Sequence, residues 1–240
     1  MLQKTKAIVL KTVKYSDNSI IATVYSKKFG KISIITRALH SKKSTTKINY
    51  LQPFFIIDIE LYYKENRNIQ KAKEFKPAYN FRTLPFDIIK SSIALFLSEV
   101  LYKTIKEEEQ NEQFFDFIEK TIQFIDVNDK NISNLHLLFL LKLTKYLGFY
   151  PQNNFSDKYS FFDIEKAVFT DNKINNNQLN IIESKNFSDF LNLNFNNYKN
   201  ITIDKTTRNK ILQNILLFYN RQIPEFGKIK SLEIMQTIFN

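Results

Sequence analysis

The sequence predicts an α+β chain: a five-stranded β-barrel domain over residues 1–80, then an α-helical domain over residues 81–240. Three observations predict it. Apolar residues recur with the two-residue period of strands as far as Phe75, and with a helical period beyond the Pro77–Pro85 punctuation. The chain has 240 residues, 43% of them hydrophobic, which is enough for a sizeable core. The charge is also segregated. Residues 1–80 hold 16 Lys+Arg against 5 Asp+Glu, and the remainder holds 19 against 19, so the net +11 belongs entirely to the strand-rich third.

The strands follow in order. Lys6–Tyr15 is β-branched and partly alternating, and the turn cluster Ser16-Asp17-Asn18 separates it from Ser19–Tyr25. Gly30 supplies the hairpin turn before Lys31–Ala38. Phe54–Tyr63 alternates Ile57, Ile59 and Leu61 with Asp58, Glu60 and Tyr62, and Ile69–Phe75 completes five. Helices are expected at Phe86–Lys106, Glu112–Ile125 and Asn134–Leu147. The last is apolar nearly all round, as a central bundle helix would be, with Gly148 as its C′ residue and Pro151 beyond. Residues 152–186 form an irregular insertion with a small hairpin near Ala167–Lys173. Helices resume at Phe187–Leu193, Lys205–Arg221 and Ser231–Phe239, with Asp204 and Ser231 as N-caps and Ile234 and Ile238 facing inward.

Composition removes whole classes of chemistry. With no cysteine there is no disulfide, thiolate or cysteine-zinc site. His40 and His136 are the only histidines, too few for a multi-histidine metal centre. Gly30, Gly148 and Gly227 lie too far apart for a glycine-rich phosphate loop. Glu107, Glu108, Glu109 and Glu112 point in different directions around a helix end, so they read as a solvated terminus rather than a metal or acid–base site. No enzyme activity, cofactor or metal is expected. The apolar run Ala7–Leu10 is too short for a secretory segment, and no window suits a membrane span, so the expected location is the cytoplasm.

The remaining signal is positive charge. From Asn18 to Ile57 there is no acidic residue, while Lys27, Lys28, Lys31, Arg37, Lys42, Lys43 and Lys47 fall inside that window. A charge run is ordinarily a solvated surface. A 40-residue acid-free stretch in a small β-domain instead fits a phosphate-binding face with Ser and Thr hydroxyls as further donors. This is the profile of an OB-fold nucleic-acid binder, with Lys11 and Lys14 as auxiliary cations and Tyr15, Tyr25, Phe29 and Tyr50 as candidate stacking rings. Strand alternation puts neighbouring lysines on opposite faces, so these cations cannot all share one surface.

The ordered series KAIVLKTVKYSDNSIIATVYSKKFGKISIITRALHSKKSTTKINYLQPF resembles the opening of RecO, the bacterial recombination-mediator family. The likeness continues in Leu84-Pro85 before a helix ending SEVLYKTI, in LLKLTKYLGFYP, and in Arg208 and Phe226-Gly227-Lys228-Ile229-Lys230-Ser231-Leu232-Glu233. It is weak between about 152 and 200. There many members carry a four-cysteine zinc module that this chain lacks, and Phe155, Tyr159, Phe161, Phe162 and Phe169 are expected to pack in its place.

The resemblance implies a protein that binds single- and double-stranded DNA and anneals complementary strands. It implies action with RecR to load RecA on DNA coated by single-stranded DNA-binding protein. It also implies a helical-domain pocket for the acidic, Phe-ended tail of that coating protein, for which Lys142 and Lys145 are the candidate cations. A second reading keeps the basic barrel and makes RNA the ligand, in ribosome or tRNA maturation. A hydrolase built on helical-domain carboxylates finds no signature.

Overall fold

The computed structural model describes residues 1–37, 49–106, 110–129, 132–172, 177–198 and 201–239. The chain forms two units, Met1–Asp129 with Ile229–Asn240, and Lys130–Lys228.

In the first unit, β1 (Leu2–Ser16), β2 (Ser19–Ser26), β3 (Gly30–Arg37), β4 (Ile56–Tyr62) and β5 (Ile69–Pro77) close into a barrel in the order β1-β2-β3-β5-β4, with β4 returning to β1. Only β3 and β5 pair in parallel. This is the OB-fold arrangement expected from the sequence. Alternate residues fill the interior: Val9, Ile20, Ala22, Val24, Ile34, Ile57, Ile59 and Leu61 are all buried.

A β-bulge between Val9 and Lys11 changes the parity of β1. Before it, odd-numbered residues face the core. After it, Thr12 pairs with core-facing Ala22, and Lys11 pairs with outward Thr23. Gly30 makes the β2–β3 turn at φ 62°. Strand β4 begins later than the sequence suggests, because Phe54 sits at φ 70° with its N–H on the Val9 carbonyl at 2.7 Å. A bulky residue there breaks the extended run.

Among the described residues three α-helices belong to this unit: α1 (Ile88–Thr104), α2 (Glu112–Val127) and, from the far end of the chain, α6 (Ser231–Ile238). Asp87 caps α1 and Asn111 caps α2 with side-chain oxygens. The segment between barrel and α1 is held by Asp126, fully buried on α2. Its carboxylate accepts the N–H groups of Arg82, Thr83 and Leu84 and the Tyr79 hydroxyl. Burial opposes ionisation here, but these donors outweigh it and hold the carboxyl below its ordinary value. Buried Lys90 completes the network, donating to the Thr83 hydroxyl and the Asp126 carbonyl and pairing with Asp129 at 2.7 Å.

Ser231 is not the N-cap that the sequence suggests. Lys230 occupies that position without a side-chain cap, and the Glu99 carboxylate of α1 accepts the N–H groups of Lys230 and Ser231 and the Ser231 hydroxyl. On this helix Met235 is buried and Ile234 is half exposed, so Ile234 does not face inward as expected.

The second unit is built on α3 (Leu135–Tyr146), whose Leu135, Leu137–Leu141 and Leu143 are all fully buried. It ends as expected: Gly148 at φ 83° lets the Phe149 N–H reach the Thr144 carbonyl at 3.1 Å. A two-stranded hairpin, β6 (Phe161–Asp163) and β7 (Val168–Thr170), lies slightly N-terminal of its expected place. Helix α4 (Ile181–Leu191) starts six residues earlier than the apolar pattern suggests, at a capping box between Asn180 and Glu183. Helix α5 (Lys205–Gln222) starts at its expected cap, Asp204, and the Tyr219 hydroxyl donates to the Leu140 carbonyl at 2.6 Å.

His136 is buried in α3, with its pKa held down to about 3 by burial first and the Arg208 charge second. It is a core histidine. Among the described residues no helix is long and apolar enough to cross a membrane.

Candidate nucleic-acid interface

The pleat of β1–β3 sorts the expected cations. Lys11, Thr23, Ser33 and Arg37 project from the outer face, since Lys11 pairs with Thr23, Thr23 with Ser33, and Arg37 with Ser19. Lys14 takes the opposite parity, paired with Ile20, and its ammonium lies 3.1 Å from Asp17 at the hairpin tip. Lys27 and Lys28 lie in the β2–β3 turn, away from the strand face. Lys42, Lys43 and Lys47, with His40, lie outside the described residues.

The ammonium groups differ in what already holds them. Lys28 and Arg37 are exposed and have no ion-pair partner among the described residues. Lys27 pairs with Asp116 on α2 at 3.1 Å; that hydrogen bond, against the opposing effect of burial, raises its pKa. Lys31 is turned inward. It donates to the Tyr102 and Ile105 carbonyls at 2.5 and 2.6 Å, closing the C-terminus of α1, and burial lowers its pKa. Lys11 and Lys31 both stand over the Tyr102 ring, at 4.5 and 4.8 Å from its centroid.

Two cations escaped the sequence reading. A groove of about 280 Å³ on the outer face is lined by Thr23, Ser33, Arg67, Asn68 and Lys106, with Glu65 as its carboxylate. The β4–β5 loop that carries Arg67 is pinned by buried Gln70, whose amide bonds the Lys64 N–H and the Lys64 and Arg67 carbonyls. The cluster Lys64-Glu65-Asn66-Arg67-Asn68 between two strands was the available signal.

The expected stacking rings mostly pack inside. Tyr25 is buried against Phe114 and Phe115, and Phe29 stacks on Tyr63 at 4.0 Å. Tyr50 lies against the barrel core. Tyr15, 66% exposed at the tip of the β1–β2 hairpin, is the ring left to solvent.

In the second unit, Lys142 is half-buried. Its ammonium donates to the Leu191 carbonyl at 3.0 Å and lies 5.7 Å from the Tyr150 ring centroid. Burial lowers its pKa, and the Lys145 charge adds to the effect. At the β6–β7 hairpin, Phe162 stacks on Phe187 at 4.4 Å and meets Phe169 and Phe218, while Phe155 meets Phe169. Tyr159 stays partly exposed, beneath Lys158. Among the described residues no group of His, Asp and Glu could hold a metal ion.

An OB-fold barrel with a basic outer face, followed by helices, is the architecture of a nucleic-acid-binding protein. Comparison with known proteins makes this specific. Residues 1–81 match the family described as Recombination protein O N terminal, and residues 85–233 match Recombination protein O C terminal. The chain is 34% identical over 241 residues to the DNA repair protein RecO of Phocaeicola vulgatus, covering all of both chains. It is 37% and 36% identical to the RecO proteins of Flavobacterium psychrophilum and Flavobacterium johnsoniae, over 99% of each chain. The chain belongs to the RecO family of DNA repair and recombination proteins, which are non-enzymatic mediators, and it lacks the cysteines of the zinc-binding members.

Proposed function

We propose that this chain binds single- and double-stranded DNA and anneals complementary strands. We propose further that, with RecR, it helps load RecA on DNA coated by single-stranded DNA-binding protein. In this reading residues 1–80 are the nucleic-acid-binding domain, residues 81–240 are the helical domain that meets protein partners, and the protein works in the cytoplasm at the nucleoid.

The observation that carries the reading is the outer barrel face. Lys11, Arg37, Arg67 and Lys106 flank the Thr23 and Ser33 hydroxyls, and none of the four pairs with a carboxylate among the described residues. Such a face neutralises phosphates and releases counterions, which lowers the repulsion between two strands without any bond being made or broken. Lys28, exposed in the β2–β3 turn, is a further candidate cation, and so, from the sequence alone, are Lys42, Lys43 and Lys47.

Lys142 and Lys145 support the tail-binding part. A half-buried ammonium with no carboxylate partner among the described residues, beside Tyr150, suits the terminal carboxylate of an acidic peptide. Titration of a fluorescent tail peptide against Lys142→Gln tests it; unchanged affinity would move the pocket elsewhere.

Salt-dependent binding of a fluorescent single-stranded oligonucleotide tests the main reading. About six neutralised phosphates give a log–log slope of roughly −4, at about −0.7 each. Arg37→Gln with Arg67→Gln should flatten it by about 1.4. No binding at low salt overturns the reading. Tighter binding of an RNA of the same sequence favours the RNA alternative.

A further inference from the structure

The barrel end beside the β2–β3 turn is as rich in lysine as the strand face, but Lys4, Lys6 and Lys27 there are already paired with carboxylates. A cleft of about 540 Å³ there is lined by Lys4, Lys6, Lys27, Lys28 and Lys76, and also by carboxylates, Glu112 of α2 among them. On α2, Glu112, Asp116 and Glu119 stand at i, i+4 and i+7, in one stripe down the helix. Asp116 holds Lys27 at 3.1 Å, and Glu119 holds Lys6 at 2.7 Å.

These carboxylates are not what anchors the helix. Helix α2 buries Phe114, Phe115, Ile118, Ile122 and Ile125, and its two N-terminal rings enclose Tyr25 of β2. Partly exposed ion pairs add little to such an apolar contact. What the two pairs do is occupy ammonium groups that would otherwise face a polyanion.

We propose that Asp116 and Glu119 are affinity-setting residues of the DNA site: fixed carboxylates that occupy Lys27 and Lys6 in place of phosphates. The β2–β3 end therefore engages only a nucleic acid able to displace them. The proposal rests on the nucleic-acid reading above. It divides the basic barrel into a strand face that is open at all times and a turn end held in reserve. The reserve end answers to high local phosphate density, such as a second strand brought against the first.

The test uses the full chain and a fluorescent single-stranded oligonucleotide across a salt series. Asp116→Asn with Glu119→Gln should tighten binding about tenfold at low salt and steepen the log–log slope by about 1.4, two contacts at about 0.7 each. Asp157→Asn with Asp189→Asn, the same change of net charge on exposed residues of the other unit, should leave the slope unaltered. Adding Lys27→Met to Asp116→Asn should remove that pair's share of the gain. Thermal melting checks that the fold is intact, and Asp116→Asn alone, at about 0.7 in slope, serves if the double variant is unstable. Binding by wild type with no gain over the charge-matched control overturns the proposal and leaves the DNA reading standing. Failure of wild type to bind overturns both.

Discussion

Asp126 shows how much one side chain can decide. Its buried carboxylate gathers three consecutive backbone N–H groups and a tyrosine hydroxyl, donors that would otherwise be buried without partners. Asp126→Asn puts an amide hydrogen against donors and should cost about 3 kcal/mol, read by urea unfolding at pH 7. The sign of the pH effect follows from its pKa, which the fold lowers. The stabilisation is fully present above the unfolded-state value of about 3.9 and disappears as pH falls through that value toward the lower folded one. Wild type should lose stability steeply below about pH 4, and the variant less so. Lys31 carries a different lesson. It reads as a phosphate contact in the sequence, but its ammonium closes a helix. Lys31→Met should lower stability by about 1–2 kcal/mol and leave the salt slope of DNA binding unchanged, whereas Arg37→Gln should do the reverse. A flattened slope in the lysine variant would restore Lys31 to the binding face.

Among the elements, the β6–β7 hairpin is held to its unit by aromatic rings. Phe162 touches Phe169, Phe187 and Phe218 and is fully buried. Phe162→Ala should cost about 3–5 kcal/mol, while a strong chelator should leave the melting temperature of wild type unchanged. A chelator-induced fall would reveal a metal. These elements also show what the sequence could and could not reveal. The strands were legible because Ile57, Ile59 and Leu61 alternate against a core, a property of neighbours along the chain. The β1 bulge was not, because a bulge exists only relative to the partner strand, and it decides that Lys11 faces outward rather than into the core. The first turns of α4 escaped because Ile181 and Ile182 face solvent, so no apolar stripe marks them. The Asn180–Glu183 capping signal was present and outweighed by the surrounding asparagines.

For the molecule as a whole, the asymmetry of charge was the most informative number and also an overstatement. The excess of 11 charges in the first 80 residues points to a polyanion partner, as expected of a member of this family. It could not show that Lys27 meets Asp116, 89 residues on, or that Lys6 meets Glu119, 113 residues on. Such pairings depend on how distant segments fold together, and no local pattern records them. The expected consequence is that Lys28→Glu and Arg37→Glu weaken DNA binding more, per charge reversed, than Lys6→Glu and Lys27→Glu. Parallel titrations at one salt concentration would show it, and equal losses would mean that the ion pairs do not matter to the ligand.

Glu99 gives the path of the chain a mechanical meaning. It binds the start of α6, so the polypeptide leaves the first unit at Asp129 and re-enters it at Ile229. The roughly hundred residues between are a loop closed by non-covalent contact. A protease cut inside that loop would leave α6 joined covalently only to the C-terminal fragment, its hold on α1 resting on buried Met235 and on one carboxylate clasping two backbone N–H groups and a hydroxyl. The N-terminal unit thus depends for its completeness on a piece of chain that arrives only after a second unit has been made.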